Sequence, residues 1–258
     1  MQAGTAITMP RQRILTCSTP SHMASVITAQ PVPPEAMYRL LAWCSPSYPT
    51  GAFSYSHGLE WAVEEGSVRR VGDVVDYISA VLERGGAWID AVLFAQAYRA
   101  AAAGDDVALD EISELAAAFR ASSETALESR QQGSAFLSVT RRAWPHAQLD
   151  AFAARQQDQA TAHTVVVALS CAAHEVPLQP ALHAYLHSVA ANLVSAGLRL
   201  VPLGQTDGQI AIARLGPVVE AITARALLAN LDDLGSAAPA LEFCSLRHET
   251  QYTRLFRS

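Results

Sequence analysis

Between Leu182 and Leu200 apolar side chains return at intervals of four, three, four, three and four residues: Leu182, Leu186, Val189, Leu193, Ala196 and Leu200. That spacing keeps one face of an α-helix apolar along its length. A strand cannot match it, because its successive side chains point to opposite sides. The same signature recurs elsewhere. Leu109, Ile112, Leu115, Phe119, Ser123 and Ala126 predict one amphipathic helix. Val74, Ile78, Val81, Trp88 and Val92 mark a buried stripe that Asp73 is placed to cap, with Gly85-Gly86 a break or a close-packing point. Val219, Ile222, Ala226 and Leu234 belong to a further helix.

Near the start, Pro34 suits a first helical turn, Glu35 complements the positive end of the helix, and Met37, Leu40, Leu41 and Cys44 share a face. Gly133, inside a helical pattern, points to close helix packing, since a mid-helix glycine costs about 1 kcal/mol against alanine. Strand candidates reduce to Val165–Val167 and Gln209–Ala213, both short, and the valines read equally as a fully buried stretch. Trp144-Pro145, Pro177 and Pro180, and the polar turn Pro202–Gly208 punctuate the series. The expectation is an all-α chain: a single helical bundle of about eight to ten helices over 34–258, behind a disordered N-terminal extension over 1–33 that shows no periodicity.

A chain of 258 residues buries roughly three quarters of its unfolded surface and needs neither disulfide nor metal to fold. Cys17, Cys44, Cys171 and Cys244 are far apart and form no C-x-x-C pair, which argues against a zinc ribbon and for reduced, mostly buried thiols. The net charge of −6 argues against nonspecific nucleic-acid binding. Every basic residue is arginine, so a lysine-bearing phosphate loop and Schiff-base chemistry are both excluded. No apolar run approaches the ~20 residues that cross a bilayer, and the residues after Arg11 and Arg13 are too polar for a signal-peptide core. A soluble, cytoplasmic protein with no membrane partner is expected.

Candidate chemistry is sparse. His183 and His187 stand four apart and share a helix face, but no H-E-x-x-H pattern or obvious third ligand accompanies them. Solvated surface histidines and a helical metal site are the two readings of that pair. His163 and His174 read as capped or core histidines, and adjacent His248 and Glu249 diverge on a helix. Glu64-Glu65 and Asp232-Asp233 read as helix-end charge. Ser54 or Ser56 beside His57 lacks a nucleophile elbow and fits a cap for the helix that Leu59, Trp61, Ala62 and Val63 continue. No catalytic residue or assigned metal ligand emerges.

Two segments look built for contact. Ser45–Gly66 (SPSYPTGAFSYSHGLEWAVEEG) sets prolines, Gly51, aromatics and hydroxyls at a bend that runs into a helix. Leu246–Ser258 (LRHETQYTRLFRS) interleaves Arg247, Arg254 and Arg257 with Tyr252, Leu255 and Phe256, the composition of protein–protein hot spots. A tail that orders on binding is expected.

These two segments, with ESRQQGSAFL at 128–137 and RLVPLGQTDGQ at 199–209, occur in an order that resembles the urease accessory protein UreF family from Pro34 to Ser258. The resemblance implies an all-helical, dimeric protein without an active site. It implies docking onto the accessory protein UreD (UreH in some organisms) and, with it, engagement of the GTPase UreG on apo-urease for GTP-dependent nickel delivery. Nickel is then cargo, GTP belongs to the partner, and no cofactor is tightly bound. Carried over by position, Tyr252, Arg254, Leu255, Phe256 and Ser258 become tail determinants. Phe53, Ser54, Tyr55, His57 and Glu60 in the loop, with Gln205, Asp207 and Gln209 in the turn, become candidates for touching a partner or holding that tail. A helical adaptor unconnected with urease, and a metal-binding protein using His183 and His187, stand as the alternatives.

Overall fold

The computed structural model describes residues 31–157, 159 and 161–258, so the extension expected over 1–33 lies, except for its last three residues, outside the described residues. Among these, eleven α-helices and no strand are found, one helix more than the sequence range allowed. In order they are α1 (Pro34–Trp43), α2 (Leu59–Glu64), α3 (Val71–Arg84), α4 (Gly86–Ala103), α5 (Asp106–Ala118), α6 (Ser123–Ala143), α7 (Ala147–Arg155), α8 (His163–Ala173), α9 (Leu178–Leu200), α10 (Gln205–Leu228) and α11 (Pro239–His248). Short 3₁₀ turns at Ala52–Ser54 and Leu231–Asp233 complete them.

The centre is α4. It buries Ala87, Trp88 and Ile89, then Ala91 through Ala95, and Ala97, Ala100 and Ala101, so it is apolar on every side. Such a helix must be enclosed, and α3, α5, α8, α9 and α10 all pack on it. Next to it, α8 buries every residue from Thr164 to Cys171. This is why Val165–Val167 looked like a strand: an enclosed helix buries consecutive residues and leaves no period to read. The second strand candidate, Gln209–Ala213, lies within α10, and Gln205–Gln209 forms that helix's first turn, not part of a loop.

Other expectations shift in detail. On α1 the buried face is Ala36, Leu40 and Trp43, leaving Met37 and Leu41 exposed. Asp73 does not precede its helix but sits inside the first turn of α3, where its carboxylate accepts the N–H groups of Arg69 and Arg70 at 2.9 and 3.1 Å. The stripe from Leu109 to Ala126 is split between α5 and α6, because Ser122 accepts the Thr125 N–H at 3.2 Å and starts a new helix. Leu234 falls beyond the end of α10. On α9, Leu182, Leu186, Leu193 and Ala196 are buried as the stripe requires. Cys44, Cys171 and Cys244 are free thiols, the last two buried, and burial pushes Cys44 up to about 12.

Gly133 is buried where α6 crosses the start of α8. A Cβ there would run into the Thr161 carbonyl oxygen and stand 2.9 Å from the His163 nitrogen. Backbone on both sides cannot yield cheaply, so Gly133→Ala is expected to destabilise the fold by about 1–3 kcal/mol. Gly72→Ala, where nothing lies within 4 Å of the new methyl, is expected to be neutral or stabilising by up to ~1 kcal/mol. Urea denaturation of the two variants checks both signs.

Candidate partner-binding site

The bend after α1 is held by unusual backbone. Gly51 and Gly58 take left-handed φ values of 78° and 75°, and between them His57 does so too, at 53°. A non-glycine residue in this region carries a cost of about 1–2 kcal/mol, and two bonds hold His57 there. Its Nε2 lies 2.9 Å from Glu128 Oε1, and its carbonyl accepts the Tyr77 hydroxyl at 2.8 Å. Gly58, not a serine, precedes α2, and a Cβ on it would come within 2.7 Å of the Ser245 nitrogen in α11. Ser56 Oγ is 3.4 Å from the Glu60 N–H, at the edge of a cap, while Ser54 lies in the 3₁₀ turn.

Through this bend α2 carries Glu60 into the interior, at 7% exposure. On α6, Glu124 and Glu128 are four apart and equally buried. A buried carboxylate is stable only when partnered; Glu128 has His57 and Gln132, and the remaining partners come from residues 248–258. Glu60 accepts the Leu255 N–H at 2.6 Å and the Phe256 N–H at 2.9 Å. His248, wholly buried, stands between two carboxylates, 3.1 Å from Glu60 and 2.7 Å from Glu124. Its two ring nitrogens thus each face a carboxylate oxygen. Arg254 donates to Glu124 at 2.6 Å, and the Ser258 hydroxyl donates to Glu128 at 2.9 Å.

The loop takes the rest of the segment by its backbone. The Arg257 N–H donates to the Ser54 carbonyl at 2.8 Å, and the Ser56 N–H to that of Ser258 at 2.6 Å, with the Ser56 hydroxyl on the same oxygen. The Phe256 ring is buried under the Arg199 guanidinium, 4.4 Å from its centroid, and Arg199 also donates to the Phe53 carbonyl at 2.8 Å. Tyr55 is buried with its hydroxyl on Gln131. The expected free tail is therefore seated on the chain's own body.

Of the residues singled out in the sequence, Glu60, Tyr55, Phe256 and Ser258 are buried here, and His57, Ser54 and Arg254 bond at its edge. Phe53, Tyr252 and Leu255 turn outward at 65%, 103% and 64% exposure. Gln205, Asp207 and Gln209 are not brought to the segment by any hydrogen bond among the described residues; Asp207 accepts its own helix's Gly204 N–H at 2.9 Å. His248 and Glu249 do diverge, since Glu249 accepts from Ser123 at the head of α6. Sequence reading missed Glu124, Glu128, His248 and Arg199. The available signal was Glu124, Glu128 and Gln132 at four-residue intervals on a face that must be buried.

Behind this cluster lies a cavity of about 420 Å³ that reaches His57, Glu128, Asp90, Arg120, His163 and Tyr185. Asp90 and Arg120 pair at 2.9 Å. Burial outweighs the nearby carboxylates and pulls His163 down to about 4, a neutral ring. Burial also works against the charge on His57, but the Glu128 carboxylate overrules it and raises the net value. Among the described residues no three histidine, cysteine or carboxylate side chains are grouped to enclose a metal, and no helix is long and apolar enough to cross a membrane.

The family model described as UreF matches residues 68–216. The urease accessory protein UreF of Rhodopseudomonas palustris strain HaA2 is 53% identical over 234 residues, covering 90% of this chain and 98% of that protein. Those of Granulibacter bethesdensis and Bradyrhizobium diazoefficiens are 52% and 49% identical over 223 residues, each covering 86% of this chain and 94% and 92% of their own.

Two outcomes follow from the carboxylates. Glu60→Gln keeps the shape but sets an amide N–H₂ against donors, and is expected to destabilise by about 3 kcal/mol in urea denaturation. The raised value on His57 means the native state holds that proton more tightly than the unfolded chain. The stabilisation is complete below the ordinary histidine value of 6.5 and is lost as pH rises through the folded value. His57→Asn, which tolerates the left-handed backbone, is therefore expected to lose more stability relative to the native chain at acidic than at alkaline pH. Equal losses across pH would refute the ion pair.

Proposed function

The chain belongs to the UreF family of urease accessory proteins, and on that premise we propose that its seated C-terminal segment is the contact for a UreD (UreH)-type partner. The chain serves urease maturation as an accessory protein and not as an enzyme. In the proposed role it is a cytoplasmic, homodimeric scaffold that joins the UreD-type protein to the UreG-type GTPase on apo-urease and regulates GTP-dependent nickel insertion. Nickel is the cargo of that assembly, and the absence of any lysine supports assigning GTP to the partner GTPase. An adaptor unconnected with urease is not compatible with the family.

The observation that carries the reading is the exposure of Tyr252 and Leu255 on an ordered segment. The bonds of Arg254, Phe256 and Ser258 to buried carboxylates fix that segment, so the two side chains are presented in place and little freedom is lost when a partner covers them. Tyrosine is among the residues that dominate binding energy at interfaces. Phe53 is exposed on the adjoining loop, whose backbone carbonyl at that residue is tied by Arg199 to the Phe256 ring.

The test separates display from seating. Tyr252→Ala with Leu255→Ala removes two mainly exposed side chains, so stability is expected to stay within about 0.5 kcal/mol, while co-purification with the UreD-type protein is lost. Deleting Thr253–Ser258 is expected to lose the complex and to lower stability as well, because Glu60, Glu124 and Glu128 each then lose a donor. The double variant co-purifying undiminished would overturn the proposal.

A further inference from the structure

The histidine pair on α9 takes no part in the site above. His183 and His187 both lie on the outer side of a 23-residue helix, are exposed, and make no hydrogen bond or ion pair among the described residues. Four residues apart on a regular helix, their Cβ atoms are about 5–6 Å from one another and both imidazoles project on one side. That is the reach at which two ring nitrogens can close on a single cation. Their neighbours along the same line are Gln179 and Ala191, so no carboxylate stands one turn away on that face of the helix.

We propose that His183 and His187 form a two-point surface chelate for a borderline divalent cation of the nickel, copper or zinc kind. Imidazole nitrogen suits these ions, whereas magnesium and calcium want oxygen. With no third histidine, cysteine or carboxylate grouped with them among the described residues, a bound ion keeps water at its other positions. The site is open and exchangeable, unlike the closed four-ligand sites that hold structural zinc. It can take up and release an ion without moving the fold, since α9 is buried on its other side through Leu182, Tyr185 and Leu186. The inference stands apart from the docking role: either can hold if the other fails.

The test is equilibrium dialysis of the full chain against nickel chloride, repeated with zinc and with magnesium. Saturable binding of one nickel or zinc ion, and none of magnesium, is expected. His183→Ala and His187→Ala are each expected to abolish that saturable binding, with helicity by circular dichroism unchanged because both side chains are exposed. Introducing Gln179→His into the His187→Ala chain restores a four-residue pair on the same face and is expected to restore binding. Binding undiminished in either alanine variant, or no saturable uptake by the native chain, would overturn the chelate.

Discussion

A helix that is apolar on every side admits one solution, to be surrounded, and α4 imposes this on the whole chain. Each large side chain it buries contributes roughly 1.5–3 kcal/mol relative to exposure, and Trp88, Ile89, Leu93 and Phe94 are all inside. The enclosing helices α3, α5, α9 and α10 then need only one apolar face each, and α8 completes the enclosure on the side where it meets α6. The bundle is therefore fixed from the inside outward. Its outer layer is where backbone irregularity and charge can be accommodated.

The carboxylate cluster occupies that outer layer and works by a different rule. Glu60, Glu124 and Glu128 contribute little to hydrophobic stability, and burying them unpartnered would be costly. Their partners are the His57 and His248 rings and the Arg254 guanidinium, with the Leu255 and Phe256 backbone and the Ser258 hydroxyl as neutral donors. Pairing of this kind adds less to net stability than apolar packing would, but it penalises every arrangement in which a donor is displaced. An apolar segment could slide by a residue on an apolar groove. A segment whose successive N–H groups must meet the two oxygens of one carboxylate cannot. The register of residues 254–258 is fixed by directional bonds, and their outward side chains are fixed with it.

How much of this could be read beforehand depends on the range of each interaction. The stripe on α9, the glycine break between α3 and α4, and the close approach at Gly133 are written in neighbours a few residues apart. Helical periodicity and glycine chemistry make them legible. The split between α5 and α6 was hidden because one hydroxyl at Ser122 outweighed a pattern that ran unbroken through it. The face of α1 was misassigned because Met37 and Leu41 fit the period as well as Ala36 and Trp43 do. In the site, aromatic and arginine composition marked residues 252–258, and the loop Ser45–Gly66 stood out by its turn chemistry. The connection between them was invisible, because Glu60 meets Leu255 and Phe256 across more than half the chain. His248 looked like an isolated polar residue for the same reason: its meaning lies in two carboxylates that sequence spacing does not place beside it.

Seating the segment on its own protein also changes what docking requires. A disordered tail gives up its conformational freedom at the moment of binding, and part of the interface energy is lost to that ordering. Here the freedom of residues 254–258 is already given up in folding, against bonds that face inward and that no partner has to replace. Tyr252 and Leu255 lie on the side those bonds leave open, so what a partner would cover is separate from what holds the segment in place. Affinity and seating can then be altered independently, one through exposed side chains and the other through the buried carboxylates. For a scaffold, that separation lets one short segment be a fixed part of the fold and a recognition surface at once.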